Sequence, residues 1–201
     1  MDERDIFVLA DQALLRVVEQ IGDDQWDQTL PEWFQLGGGQ ENATVREIVN
    51  YHAYDDSWVP DMLAGKTMDA AGNQKHKGDL LGEDPKAAFA AIVEKACAAA
   101  MALDDLDQPA HLSFGEYTAR EYLWQVTSFR GLRAHDIAKV IGADTQLPAA
   151  LVQGMWDEIV PHVEEWRAIG VYPAAVQAPD NADLQDKLLA LTGREPDGRT
   201  E

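Results

Sequence analysis

Residues 44–64 read TVREIVNYHAYDDSWVPDMLA, and this stretch decides the fold. Thr44 and Glu47 stand three apart at its head, the spacing of a capping box in which each side chain satisfies a free backbone N–H at a helix start. Behind them Val45, Ile48, Val49, Val59 and Leu63 return to one face, within about 60° of each other at roughly 100° per residue. The spacing predicts a helix from Thr44 to about Ala64, with Gly65 as its stop.

The same period extends in both directions. Ile6, Ala10, Leu14, Val17 and Ile21 predict a first helix ended by Gly22, after which a polar stretch with Trp26 and Trp33 leads through Gly37-Gly38-Gly39. Residues 66–84 carry glycines and charges but no apolar face, which predicts the longest loop. Asp84-Pro85 then supplies a cap and an N1 proline for a third helix, with Phe89, Val93 and Ala96 on its stripe. Thr118-Ala119-Arg120-Glu121 is a second capping box, predicting a fourth helix that ends at Gly142. A fifth follows Pro148, and Asp180 is expected to cap a short last helix closed by Gly193. No segment alternates like a strand, so the expectation is an all-α protein without a sheet. It is read as a single domain over residues 1–194, followed by a frayed polar tail over 195–201.

Composition narrows the function classes. Of 201 residues 46% are hydrophobic and 26% charged, which is globular rather than disordered. Asp and Glu number 36 against 16 Lys and Arg, and the formal charge of -20 repels phosphate. Neither nucleic acid nor an anionic membrane is expected as a partner. A single cysteine, Cys97, excludes an internal disulfide, and its Ala-rich surroundings predict a buried, inert thiol. The first residues lack the features of a leader and no run reaches the ~18 apolar residues of a span, so a cytoplasmic location is expected.

Polar residues at core positions point to a site, because burying them costs free energy unless they are paired or used. His52 and Asp56 fall inside the apolar sector of the second helix, one turn apart, where both can reach one ion or one partner. Projected from Tyr122, the fourth helix places Val126, Phe129, Ile137 and Val140 together with Arg133 among them, while His135 lies about 220° round. Arg133 is therefore expected to point inward and His135 outward. His76, His111 and His162 fall in a loop, a connector and an outer helix face, and are not expected in the site.

Four phrases carry a resemblance. They are the second helix with His52, the sequence Gly82-Glu83-Asp84-Pro85-Lys86-Ala87-Ala88, the segment Arg133-Ala134-His135-Asp136-Ile137-Ala138 before Gly142, and the ending Leu188-Leu189-Ala190-Leu191-Thr192-Gly193-Arg194. Together they resemble the DinB-like superfamily, and within it the branch similar to the N-terminal part of mycothiol-dependent maleylpyruvate isomerase. The resemblance implies a four-helix bundle with additional short helices, holding a divalent metal, zinc or nickel, between helices. It implies His52 as the first metal ligand and places the other two at Phe129 and Arg133, neither of which can bind a metal. Asp56 is the nearest substitute ligand.

Three readings follow. By the resemblance, a metal at His52, with Asp56 read from the residues as its substitute second ligand, activates the thiolate of a small cofactor such as mycothiol in a transferase or isomerase. By the residues, Arg133 puts a fixed positive charge where the resemblance puts a metal, and the region of Arg133, Trp58 and Trp124 binds a small anionic molecule without catalysis. A purely structural acidic bundle is the third.

Overall fold

The computed structural model describes residues 1–34, 42–113 and 115–199, so the expected glycine run at 37–39 lies outside the described residues. The protein is mostly helical. It divides into two compact units, Met1–Thr145 and Gln146–Glu201.

In the first unit α1 spans Glu3–Val18, α2 Val45–Leu63, α4 Pro85–Met101 and α5 Ala119–Ile141, with a single turn of helix, α3, at Met68–Ala71. Both threonine capping boxes form, at Thr44 with Glu47 and at Thr118 with Glu121, and Asp2 with Asp5 closes a third at the start of α1. Asp84 accepts from the Ala87 N–H and Pro85 occupies the first turn of α4. Helix α5 stops at Gly142, whose φ of 72° is left-handed and suits glycine.

The four long helices pack in a closed cycle, α1 on α5, α5 on α2, α2 on α4 and α4 on α1. Phe7, Val59, Ala96, Ala100 and Leu123 fill one core between them and are fully buried.

Two expectations about the first unit need correction. A two-stranded antiparallel sheet is present, β1 Pro109–Leu112 against β2 Gly115–Thr118, with Pro109 opposite Thr118 and Leu112 opposite Gly115. Each strand has four residues, too few for alternation to show in the sequence. The hairpin delivers the chain directly into α5, since Thr118 is both the last strand residue and the helix cap.

The expected loop over 66–84 also contains α3, and it is strapped to α2. Asp61 accepts from Lys66 at 2.9 Å and Lys75 at 2.6 Å, and Arg46 donates to Asp79 at 3.0 Å and to the Gly82 carbonyl at 2.7 Å.

In the second unit α6 spans Ala149–Ala168 and α7 Leu184–Leu191, packed together. The cap of α7 is Asp183, not Asp180. The tail is not frayed as far as it is described: the fully buried Asp186 accepts from the Asp197 N–H at 2.9 Å and the Arg199 N–H at 2.5 Å. Gly193 allows a close crossing, since a Cβ there would stand 2.3 Å from Pro173 Cγ.

Candidate functional site

The four-helix cycle converges on one polar cluster. Asp11 comes from α1, His52, Asp55 and Asp56 from α2, Cys97 from α4 and Arg130 from α5. Asp11, His52, Asp56 and Arg130 are fully buried, an arrangement that is stable only when the charges are paired.

Arg130 is the hub. Its Nε and NH2 donate to Asp56 Oδ1 at 2.9 and 2.7 Å, NH1 meets His52 Nδ1 at 2.7 Å, and NH2 reaches the His52 carbonyl at 3.5 Å. Asp11 Oδ1 stands 3.6 Å from Nε, and Asp55 Oδ2 3.8 Å from NH1. One guanidinium thus serves three carboxyl groups.

This geometry fixes the state of His52. A guanidinium has no lone pair and can only donate, so Nδ1 accepts and the ring proton of neutral His52 sits on Nε2. Burial, reinforced by Arg130 and Arg133, holds the His52 pKa well below the usual range, so the ring stays neutral. Nε2 and Asp56 Oδ2 are buried without a hydrogen-bond partner among the described residues.

Burial also governs the acids. It raises the pKa of Asp11 well above the ordinary carboxylate range, with the charge of Asp56 adding to it and Arg130 opposing it. Asp56 is raised too, again by burial and against Arg130. Asp55 is pushed up to about 6 by burial, Arg130 opposing and Asp56 reinforcing. Cys97 Sγ lies 3.8 Å from Asp11 Oδ2, and burial plus the charges of Asp11 and Asp56 push its thiol up.

A cavity of about 230 Å³ opens beside the cluster between α2 and α5. Tyr51, Tyr54, Trp58, Tyr122 and Phe129 supply its aromatic walls, while Asp55 and Arg130 are its charged lining and Met68 of α3 closes one side.

His52 and Asp56 lie where the sequence placed them. Arg133 is buried as expected, but it is not the cation that meets them. Its guanidinium carbon lies 4.5 Å over the Phe34 ring and NH1 stands 3.5 Å from Asp136 Oδ2. His135 does not point outward: it is 1% exposed, with Nδ1 3.3 Å from Asp136 Oδ1.

Phe129, expected on the buried stripe, is 47% exposed and lines the cavity. Trp58 lines the cavity and Trp124 does not. The remaining histidines are engaged elsewhere, His76 with Asp61 and Trp58, His111 with Glu116, and His162 stacked on Trp166.

Sequence reasoning missed Arg130, Asp11 and Asp55. Arg130 projects only about 60° from Arg133 on the same helix, and Asp11 lies about 20° from the buried Val18 on α1, so both signals were present.

These side chains, as arranged, do not fit a divalent metal. Nδ1 of His52 is occupied by a guanidinium hydrogen, Nε2 carries the ring proton, and Phe129 and Arg133 offer no donor atom. Among the described residues no three His, Cys, Asp or Glu side chains come together in a way that could hold an ion. No helix among them is long and apolar enough to cross a membrane.

Compared with known proteins, the chain matches no family model, no curated protein and no solved structure at a significant level.

Proposed function

We propose that this chain is a DinB-like helical bundle that binds a small molecule without a metal, using the aromatic cavity between α2 and α5, beside a buried polar cluster whose fixed charge is Arg130. The observation that carries the reading is the pair of 2.7 Å contacts from one buried guanidinium to His52 Nδ1 and to Asp56 Oδ1. They bring a permanent cation to His52, which the resemblance assigns to a metal, and to Asp56, its nearest substitute ligand. The cycle of α1, α5, α2 and α4 supports the bundle, and the phrases beginning at Gly82 and Arg133 support the branch.

The chemistry available is binding and orientation. A concave site with aromatic walls and a few convergent polar groups suits a small ligand. Burial holds Cys97 as the unreactive thiol, and the Nδ1 lone pair of neutral His52 is taken by Arg130.

Metal analysis of the purified chain, with titration of zinc and of nickel, tests this reading. The expected result is less than a tenth of an equivalent as purified, and no tight one-to-one binding that depends on His52. One equivalent bound tightly and lost in His52→Ala would overturn it in favour of the metal-dependent, thiol-using transferase or isomerase.

A further inference from the structure

We infer that the cavity between α2 and α5 takes a small organic cation, an amine carrying one ring or a short chain, with Asp55 as its counter-charge; this rests on reading that cavity as the ligand site.

The walls favour a cation. Tyr51, Tyr54, Trp58, Tyr122 and Phe129 line one small space, and Tyr54 meets Trp58 edge-on at 6.2 Å between ring centroids. Aromatic faces carry partial negative charge and attract ammonium groups. Ring faces attract an ammonium group more strongly than a carboxylate.

The polar lining agrees. Asp55 is the one carboxylate among the described lining residues, and its side chain is 33% exposed. The nearest cation to it is Arg130 NH1 at 3.8 Å, too far for a hydrogen bond, so a ligand N–H can take the carboxylate oxygens.

Arg130 is the competing anchor for an anion, but it is committed. Nε and NH2 are on Asp56 and NH1 is on His52. Asp11, Asp55 and Asp56 all lie within 3.8 Å of the guanidinium and offset its charge, and an anion entering the cavity would meet Asp55 beside it. Arg133, the expected anion anchor, does not line the cavity. The formal charge of -20 adds a general attraction for cations.

Size sets the class further. A cavity of about 230 Å³ is on the scale of a one-ring amine.

The test is calorimetric titration of the full chain with phenethylamine, 2-phenylethanol and 3-phenylpropionate, which share a skeleton and differ in charge. The amine is expected to bind about tenfold more tightly than the alcohol, and the acid more weakly than the alcohol. Asp55→Asn should bring the amine to the affinity of the alcohol and leave the alcohol within about twofold, with the melting curve confirming that the variant is folded.

If the acid or the alcohol binds as tightly as the amine, or if Asp55→Asn leaves the amine's advantage intact, the cation inference fails and the cavity reading stands. If none of the three binds at millimolar concentration, both fail.

Discussion

Replacing Arg130 with methionine is the most direct probe of the buried cluster. The change keeps much of the apolar stem and deletes the charge together with five N–H donors. Asp56 Oδ1 loses bonds at 2.9 and 2.7 Å, His52 Nδ1 loses one at 2.7 Å, and Asp11 loses its ion pair at 3.6 Å. Asp11 and Asp56 are both fully buried, so no water takes the place of the lost donors. Breaking one partner of a buried pair costs about 3–5 kcal/mol, which in a chain of this size lowers Tm by roughly 6–20 °C.

The loss depends on pH with a definite sign. Asp11 and Asp56 have folded pKa values above their ordinary ones because of burial, so the folded state binds more protons than the unfolded state and stability falls as pH rises above about 4. Without Arg130 both are raised further. The cost of Arg130→Met is therefore greatest at pH 8 and shrinks as pH falls, because the folded variant takes up protons on Asp11 and Asp56 more readily than the unfolded chain does.

Urea unfolding followed by far-ultraviolet circular dichroism at pH 5, 6.5 and 8 measures it. Adding Asp56→Leu should recover more than half of the loss at pH 8, since an apolar replacement of the pair is nearly neutral. A loss under about 1 kcal/mol at pH 8, or one that grows toward pH 5, would refute the reasoning.

Arg133→Leu should cost about 3 kcal/mol, no more than Arg130→Met, because it takes the guanidinium from the equally buried Asp136 and from the Phe34 ring, whereas Arg130 serves three carboxyl groups; urea unfolding at pH 8 gives the comparison. Cys97 should react with a maleimide at least a hundredfold more slowly in the native chain than after unfolding, because burial and Asp11 oppose its thiolate. The Asp61 carboxyl, desolvated but hydrogen-bonded by Lys75 and Lys66, is held down to about 2. Its stabilisation is therefore present above pH 4 and lost as pH falls toward 2. Asp61→Asn should cost about 1 kcal/mol at pH 7, less in high salt, and speed hydrogen exchange across residues 66–78.

The helices were legible because their start signals are local. Thr44 with Glu47, Thr118 with Glu121 and Asp84-Pro85 act through bonds three residues long, and each forms as its spacing predicts. The hairpin at 109–118 was not legible, since it is held by cross-strand pairing in segments too short to show a period.

On α2 one apolar sector gives one inward direction, and His52 and Asp56 follow it. On α5 that assumption breaks down: nearly every residue from Thr127 to Ala138 is buried, Phe129 excepted, so the helix has no single inward direction. His135 is buried on a side that the projection assigned to solvent. Choosing between Arg130 and Arg133 likewise needs the position of α2, which no single-helix projection contains.

The pairing of α1 with α5 has a consequence during synthesis. At about 5–20 residues per second, the ribosome takes roughly 6–25 s to go from the end of α1 at Val18 to the end of α5 at Ile141. Through that interval α1, whose buried face includes Phe7, Leu14 and Val18, lacks α5, and it has α4 only once Met101 has been made. Asp11 lies in the middle of that face, and in water it is an ordinary ionised acid that interrupts an otherwise adhesive stripe and disfavours aggregation of the nascent chain. When α5 arrives, Arg130 meets the same side chain and the charge that kept the waiting helix soluble becomes part of the interior.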